Sequence, residues 1–154
     1  MKSIKELLYI ETEGSCANCG FKDNRALTIH HLKQSKPKNE AYDNKILLCH
    51  NCHHIHTTKK GLSDIELNSI KKRLIIKTLT RPGLNAMKEA YRHKSVYALP
   101  FLVNHLIEMG YLYLEVAQCS FTEDELSEDK SYVGTGWYLL TQEGEKLLEK
   151  WRLK

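Results

Sequence analysis

The chain has no apolar run long enough to cross a bilayer, and its short apolar run at residues 7–10 is too small for a signal-peptide core. A soluble, cytoplasmic protein with no membrane partner is therefore expected. There is also no internal repeat and no low-complexity tract, which leaves ordinary folded domains. Charge of one sign is missing locally: residues 115–129 hold six acids and no Lys or Arg, whereas residues 59–94 hold ten Lys/Arg against three acids. The formal net charge of +4 is thus unevenly spread, and the basic part suits a polyanionic partner. A chain of 154 residues can bury one ordinary core, or two small ones if a metal staples the smaller. The second arrangement is expected here.

What the chain does have is cysteine and histidine, concentrated. Four of its five cysteines form two C-x-x-C pairs, Cys16/Cys19 and Cys49/Cys52. That spacing suits tetrahedral metal coordination better than a disulfide framework, and reduced thiolates agree with a cytosolic setting. The four sulfurs are expected to hold one structural Zn2+ in a closed site with no position for water. Six of the eight histidines lie within residues 30–56. Burying so many imidazoles without partners would be costly, so metal ligation is the better account of them.

In chain order, residues 3–10 read as a short helix and Gly20 as the residue that lets the first cysteine turn close. Residues 26–32 alternate like a strand, 33–44 read as a polar loop, and Ile46, Leu47 and Leu48 as the returning strand. Ser63 and Glu66 form a capping-box start for a helix carrying Leu67, Ile70 and Leu74, which Arg81-Pro82-Gly83 should break. A second helix with Leu84, Met87 and Tyr91 follows, then a third from about Leu99 that stops at Gly110. Residues 111–117 read as a strand, 118–135 as a polar loop and 137–140 as a strand, with Thr141 capping a last helix.

The run Ile29-His30-His31-Leu32, then Asn44 before Ile46-Leu47-Leu48-Cys49, then Cys52-His53, resembles the HNH endonuclease family in its zinc-stapled branch. His31 precedes Asn44 by thirteen residues and Asn44 precedes His53 by nine. The resemblance implies a ββα-metal fold and roles for its residues. His31 would be the general base that takes a proton from water. His30 and His53 would hold a catalytic divalent cation such as Mg2+ or Mn2+. Asn44 would hydrogen-bond across the hairpin loop and steady His31. Where colicin-type members carry a further ligand histidine one helical turn on, this chain has Thr57, which leaves the third protein ligand open, with His56 a substitute. His50 and His54 are read as surface or phosphate-contacting side chains, and His93, His105 and Cys119 as ordinary structural residues.

Residues 111–148 resemble, more weakly, the end of a MarR-type winged-helix domain. Its helix before the wing offers Asn104, His105 and Glu108 and no Lys or Arg, and the wing is acidic, so protein contact or dimerisation suits it at least as well as DNA reading. The expected architecture is α+β: a zinc-stapled ββα-metal (HNH) domain at residues 1–60, a basic helical connector at 61–94 and a winged-helix-like domain at 95–154. The expected function is metal-dependent hydrolysis of DNA phosphodiester bonds, leaving a 5′ phosphate and a 3′ hydroxyl as the resemblance implies. DNA contact is expected at Lys59, Lys60, Lys71, Lys72, Arg73 and Lys77. The rival readings are a zinc-dependent nucleic-acid-binding module without catalysis and a protein-interaction adaptor, which would leave the histidines idle.

Overall fold

Ser3 starts the first helix by a reciprocal cap: its hydroxyl accepts the Glu6 N–H at 3.2 Å while the Glu6 carboxylate accepts the Ser3 N–H at 2.7 Å. In the computed structural model, which describes residues 3–117 and 135–154, helix α1 (Ile4–Glu11) follows from that cap. Strands β1 (Leu27–His31) and β2 (Lys45–Cys49) then pair antiparallel, with Leu27 opposite Cys49 and His31 opposite Lys45. A 3₁₀ turn at Tyr42–Asn44 ends the linking loop. Helix α2 (His50–Thr57) begins directly after β2. Helix α3 (Asp64–Leu79) repeats the opening device: the Glu66 carboxylate accepts the Ser63 N–H at 2.8 Å and Ser63 Oγ accepts the Glu66 N–H at 3.3 Å.

The chain divides into two compact units, residues 2–78 and 79–154. In the first, Cys16, Ile46, Leu48, Cys49, Cys52, Leu62, Leu67 and Ile70 form one buried cluster, and Leu74 packs against it. The stretch 61–94 is therefore not one basic connector. Its first helix belongs to the cysteine-containing core because Leu67, Ile70 and Leu74 share one helical face, and its second lies in the other unit.

Lys71 corrects the expectation of DNA contact. Its side chain is fully buried, with Nζ 2.8 and 2.9 Å from the two Glu11 carboxylate oxygens and 3.8 Å from the centroid of the Tyr42 ring. The Tyr42 hydroxyl donates to the same carboxylate. The reason is visible in the spacing: with Leu67, Ile70, Leu74 and Ile75 it occupies i, i+3, i+4, i+7 and i+8, the apolar stripe itself. Burial pushes the Glu11 pKa up, against the pull of Lys71 and Tyr42.

The second unit contains α4 (Arg81–His93), β3 (Ser95–Ala98), α5 (Pro100–Glu108), β4 (Leu112–Ala117), β5 (Gly136–Leu140) and α6 (Gln142–Lys150). Its antiparallel sheet has the order β3-β5-β4. The break expected at Arg81-Pro82-Gly83 falls one residue earlier. Thr80, at φ 61°, interrupts the chain and caps α4 by accepting the Gly83 N–H at 3.2 Å, and Pro82 is tolerated in a first helical turn. Gly83 is needed there, since a Cβ would lie 2.8 Å from His105 Nε2. His105 is not an exposed recognition residue; its Nε2–H donates to the Leu79 carbonyl at 2.8 Å.

Strand β3 goes beyond the sequence reading, because four residues between helices carry little period; its partner is β5, with Tyr97 opposite Trp137. Met87, Leu106, Leu112, Tyr138 and Leu148 are fully or almost fully buried in this unit. The expected acidic loop, with Cys119, lies outside the described residues apart from residue 135. The class is α+β with two small sheets, and no described helix is long and apolar enough to cross a membrane.

Removing one member of a buried ion pair strands the other, so Lys71→Met should destabilise the chain by about 3–5 kcal/mol. The double change Lys71→Met with Glu11→Leu should recover most of that loss, as read by chemical denaturation of both variants.

Candidate metal centre and histidine site

The first cysteine pair sits on a tight turn. The Gly20 N–H donates to the Cys16 carbonyl and the Cys16 N–H to the Phe21 carbonyl, each at 2.9 Å. Gly20 has φ +74° and open space where a Cβ would be, so it is the backbone angle, not crowding, that favours glycine. The Ala17 N–H donates to the Leu47 carbonyl at 2.9 Å, fastening this turn to β2. The second pair spans the junction of β2 and α2: Cys49 is the N-cap of α2, and its sulfur accepts the Cys52 N–H at 3.4 Å.

The four sulfurs lie within 4.8 Å of one another, and Cys19 Sγ is 3.7 Å from Cys49 Sγ. Four thiolates around one zinc at the usual Zn–S length would be about 3.8 Å apart along each edge of the tetrahedron. None of the four is in a disulfide, which would bring two sulfurs to about 2.05 Å. Cys16, Cys49 and Cys52 are buried and Cys19 is exposed. Burial pushes the Cys52 thiol up to about 12. It acts in the same direction on Cys16, but backbone donors at Cys19, Cys49 and Asn18 bring that thiol to about 7. A divalent cation among the sulfurs removes this conflict, because it replaces the thiol protons. The four cysteines could coordinate a structural zinc ion. Among the described residues they are the only set of three or more Cys, His, Asp or Glu donors gathered so closely.

The hairpin and α2 assemble the histidines. Adjacent strand residues face opposite ways, and His30 is buried while the His31 side chain keeps 20% of its exposure. The His30 ring meets those of His53 and His56 edge-on, at centroid distances of 5.0 and 4.7 Å. His56 Nδ1 lies 2.8 Å from the Leu62 carbonyl, which can only accept, so Nδ1 carries a proton; Nε2 lies 3.5 Å from Asp64 Oδ1. Burial lowers the His30 pKa to about 4, helped by the neighbouring His56, His53 and His31, while Asp64 opposes the shift. A neutral imidazole is the form that ligates metal. A cleft of about 620 Å³ opens beside His30 and His56, lined also by Gln34, Lys59, Asp64 and Glu66.

Asn44 is buried. Its Oδ1 accepts the Lys33 N–H at 3.0 Å, and its Nδ2 donates to the carbonyls of Lys33 at 3.2 Å and Asn39 at 2.9 Å. The loop's two ends are thereby closed on one side chain. His31 Nε2 is 3.2 Å from Glu40 Oε1, and Lys45 Nζ is 2.5 Å from Glu40 Oε2. The Lys45 hydrogen bond holds the Glu40 carboxyl below the usual carboxylate range. Sequence reasoning misses Glu40 and Asp64. The strand register that puts Lys45 opposite His31 is the one signal for the former, and Asp64 carries none beyond its closeness to the α3 cap.

His50, His54, Thr57, Lys59, Lys60, Arg73 and Lys77 are exposed and Lys72 is half-buried. Lys77 is paired with Glu13 at 2.5 Å. Family models, curated proteins and solved structures yield no match to this chain.

Purified protein should contain about one tightly held zinc per chain by elemental analysis. Cys49→Ser should release it and abolish the cooperative thermal transition of residues 2–78, because a core this small relies on a staple. Cooperative unfolding unchanged in that variant would count against a structural ion.

Proposed function

We propose that the chain is a metal-dependent endonuclease of the HNH type that hydrolyses DNA phosphodiester bonds. The observation that carries this reading is the hairpin-and-helix site: a histidine pair ending β1, with Asn44 closing the loop beyond it, and His53 and His56 brought to His30 by α2. In this reading His31, the less buried of the pair, takes the proton of the attacking water. His30, His53 and His56 are imidazoles fit to hold a divalent cation, with Asp64 a further oxygen donor beside His56. Such a cation, when bound, supplies charge neutralisation at the phosphate oxygens. Asn44 holds the loop so that the position of His31 is not lost to loop motion.

In the second unit, the order β3-β5-β4 with α5 before β4 supports a winged-helix-like module. Exposed Tyr97, Phe101, Tyr113 and Trp137 favour a protein partner or a second copy as its contact over DNA. The exposed cations of the first unit, Lys59, Lys60 and Arg73, are the better phosphate ligands.

One observation favours the rival reading of a zinc-dependent nucleic-acid-binding module without catalysis. The nitrogens of His30, His53 and His56 are not gathered as closely as the four sulfurs.

Supercoiled plasmid incubated with full-length protein and Mg2+, Mn2+ or Zn2+ separates the two readings. The endonuclease nicks or linearises it, and His31→Ala should reduce that rate by about 10²–10⁴-fold while zinc content and duplex affinity stay unchanged. Binding without cleavage under every metal selects the rival.

Every phosphate that a lysine no longer neutralises lowers the log-affinity versus log-salt slope by about 0.9, so Lys59→Ala with Lys60→Ala should flatten it by about one to two units. The slope is read from fluorescence anisotropy on one duplex across a salt series.

A further inference from the structure

Glu40 is an exposed loop acid, yet both of its carboxylate oxygens are engaged inside the hairpin. Oε1 meets His31 Nε2 at 3.2 Å and Oε2 meets Lys45 Nζ at 2.5 Å. We propose that Glu40 is the positioning residue for His31: clamped by Lys45, its carboxylate accepts the His31 Nε2–H and leaves Nδ1 as the nitrogen with the free lone pair. The purpose of this pairing rests on the hydrolase reading above; its geometry does not.

Three observations carry it. An ionised carboxylate is acceptor-only, so the ring nitrogen facing it must donate, and one tautomer is selected. Lys45 is the register partner of His31 and keeps only 11% of its side-chain exposure, against 60% for Glu40. The clamp therefore comes from the buried strand, and the exposed partner is the one being held. The backbone on both sides of Glu40 is also pinned: the Asn39 carbonyl accepts from Asn44 Nδ2 at 2.9 Å, and Asn39 Oδ1 accepts the Ala41 N–H at 3.0 Å. Asn44 thus reaches His31 through Asn39 and Glu40, along hydrogen bonds and one short stretch of backbone. A general base needs its lone pair on one defined nitrogen aimed at one place, and a ring free to exchange tautomers spends part of its time with the wrong one.

The test is heteronuclear NMR of the imidazole nitrogens in zinc-loaded, full-length protein at about pH 8, above the ordinary imidazole range. Wild type should show His31 as the Nε2–H tautomer. Glu40→Ala should show mixed tautomers with zinc content unchanged, and any loss of stability, from the Lys45 ammonium left without its partner, should be shared by Glu40→Leu. Lys45→Met should show a partial loss of the same tautomer preference. In plasmid cleavage Glu40→Ala should lower kcat by about 10- to 100-fold at unchanged KM, the mark of an interaction used in the transition state. An Nδ1–H tautomer in wild type, or an unaltered tautomer in Glu40→Ala, overturns the proposal. Should no variant and no wild type cleave DNA, the hydrolase reading falls alone, and the NMR result still decides the role of Glu40.

Discussion

The first unit is organised by sulfur. Cys16, Cys49 and Cys52 are buried among Ile46, Leu48, Leu62, Leu67 and Ile70, so the residues offered to a metal are also members of the hydrophobic cluster. Cys49 does three things at once: it ends β2, it caps α2 and it supplies one of four converging thiols. Because α2 starts at that cap, its rotation about its own axis is set there. His53 and His56 face His30 as a result, one and four residues beyond Cys52 on the same short helix. The cysteine centre and the histidine site are thus one construction, and distortion of the first displaces the second.

Much of this unit is legible in the sequence because its signals are local. The Ser63/Glu66 cap, the glycine after Cys19 and the strand ending in His30-His31 each declare themselves within a few residues. Lys71 misleads because its charge draws more notice than its position; the stripe from Leu67 to Ile75 already places it inward. Its partner Glu11 is 60 residues away, and no local pattern announces such a pair. Glu40 escapes for a related reason. It touches His31 and Lys45 only once the hairpin register is fixed, and a loop acid among lysines reads as solvated surface. In the second unit β3 is too short to show a period, and the helix before it contains Pro82 in its first turn, where a break is expected instead.

The hairpin loop shows how a site on irregular backbone can be made rigid without regular structure. Twelve residues lie between His31 and Asn44, a length at which an unsupported loop samples many conformations. One buried amide removes most of that freedom by bonding to Lys33 at one end and Asn39 near the other. Tyr42, next to it, is tied through Glu11 to α1 and through Lys71 to α3. The loop is therefore held at its base by the Asn44 amide and by two helices, α1 and α3, while its outer residues stay exposed.

The two-stranded sheet of this unit has an unusual feature in the strand that is buried along its whole length. One edge of β2 is taken by β1, and on the other the Leu47 carbonyl is occupied by the Ala17 N–H of the first cysteine turn. That turn therefore acts as a cover over an apolar strand edge, Ile46-Leu47-Leu48, which would otherwise be a template for pairing with another chain. Losing the cysteine centre therefore carries an intermolecular hazard besides loss of shape: with the turn displaced, the β2 edge is open to pairing with another chain.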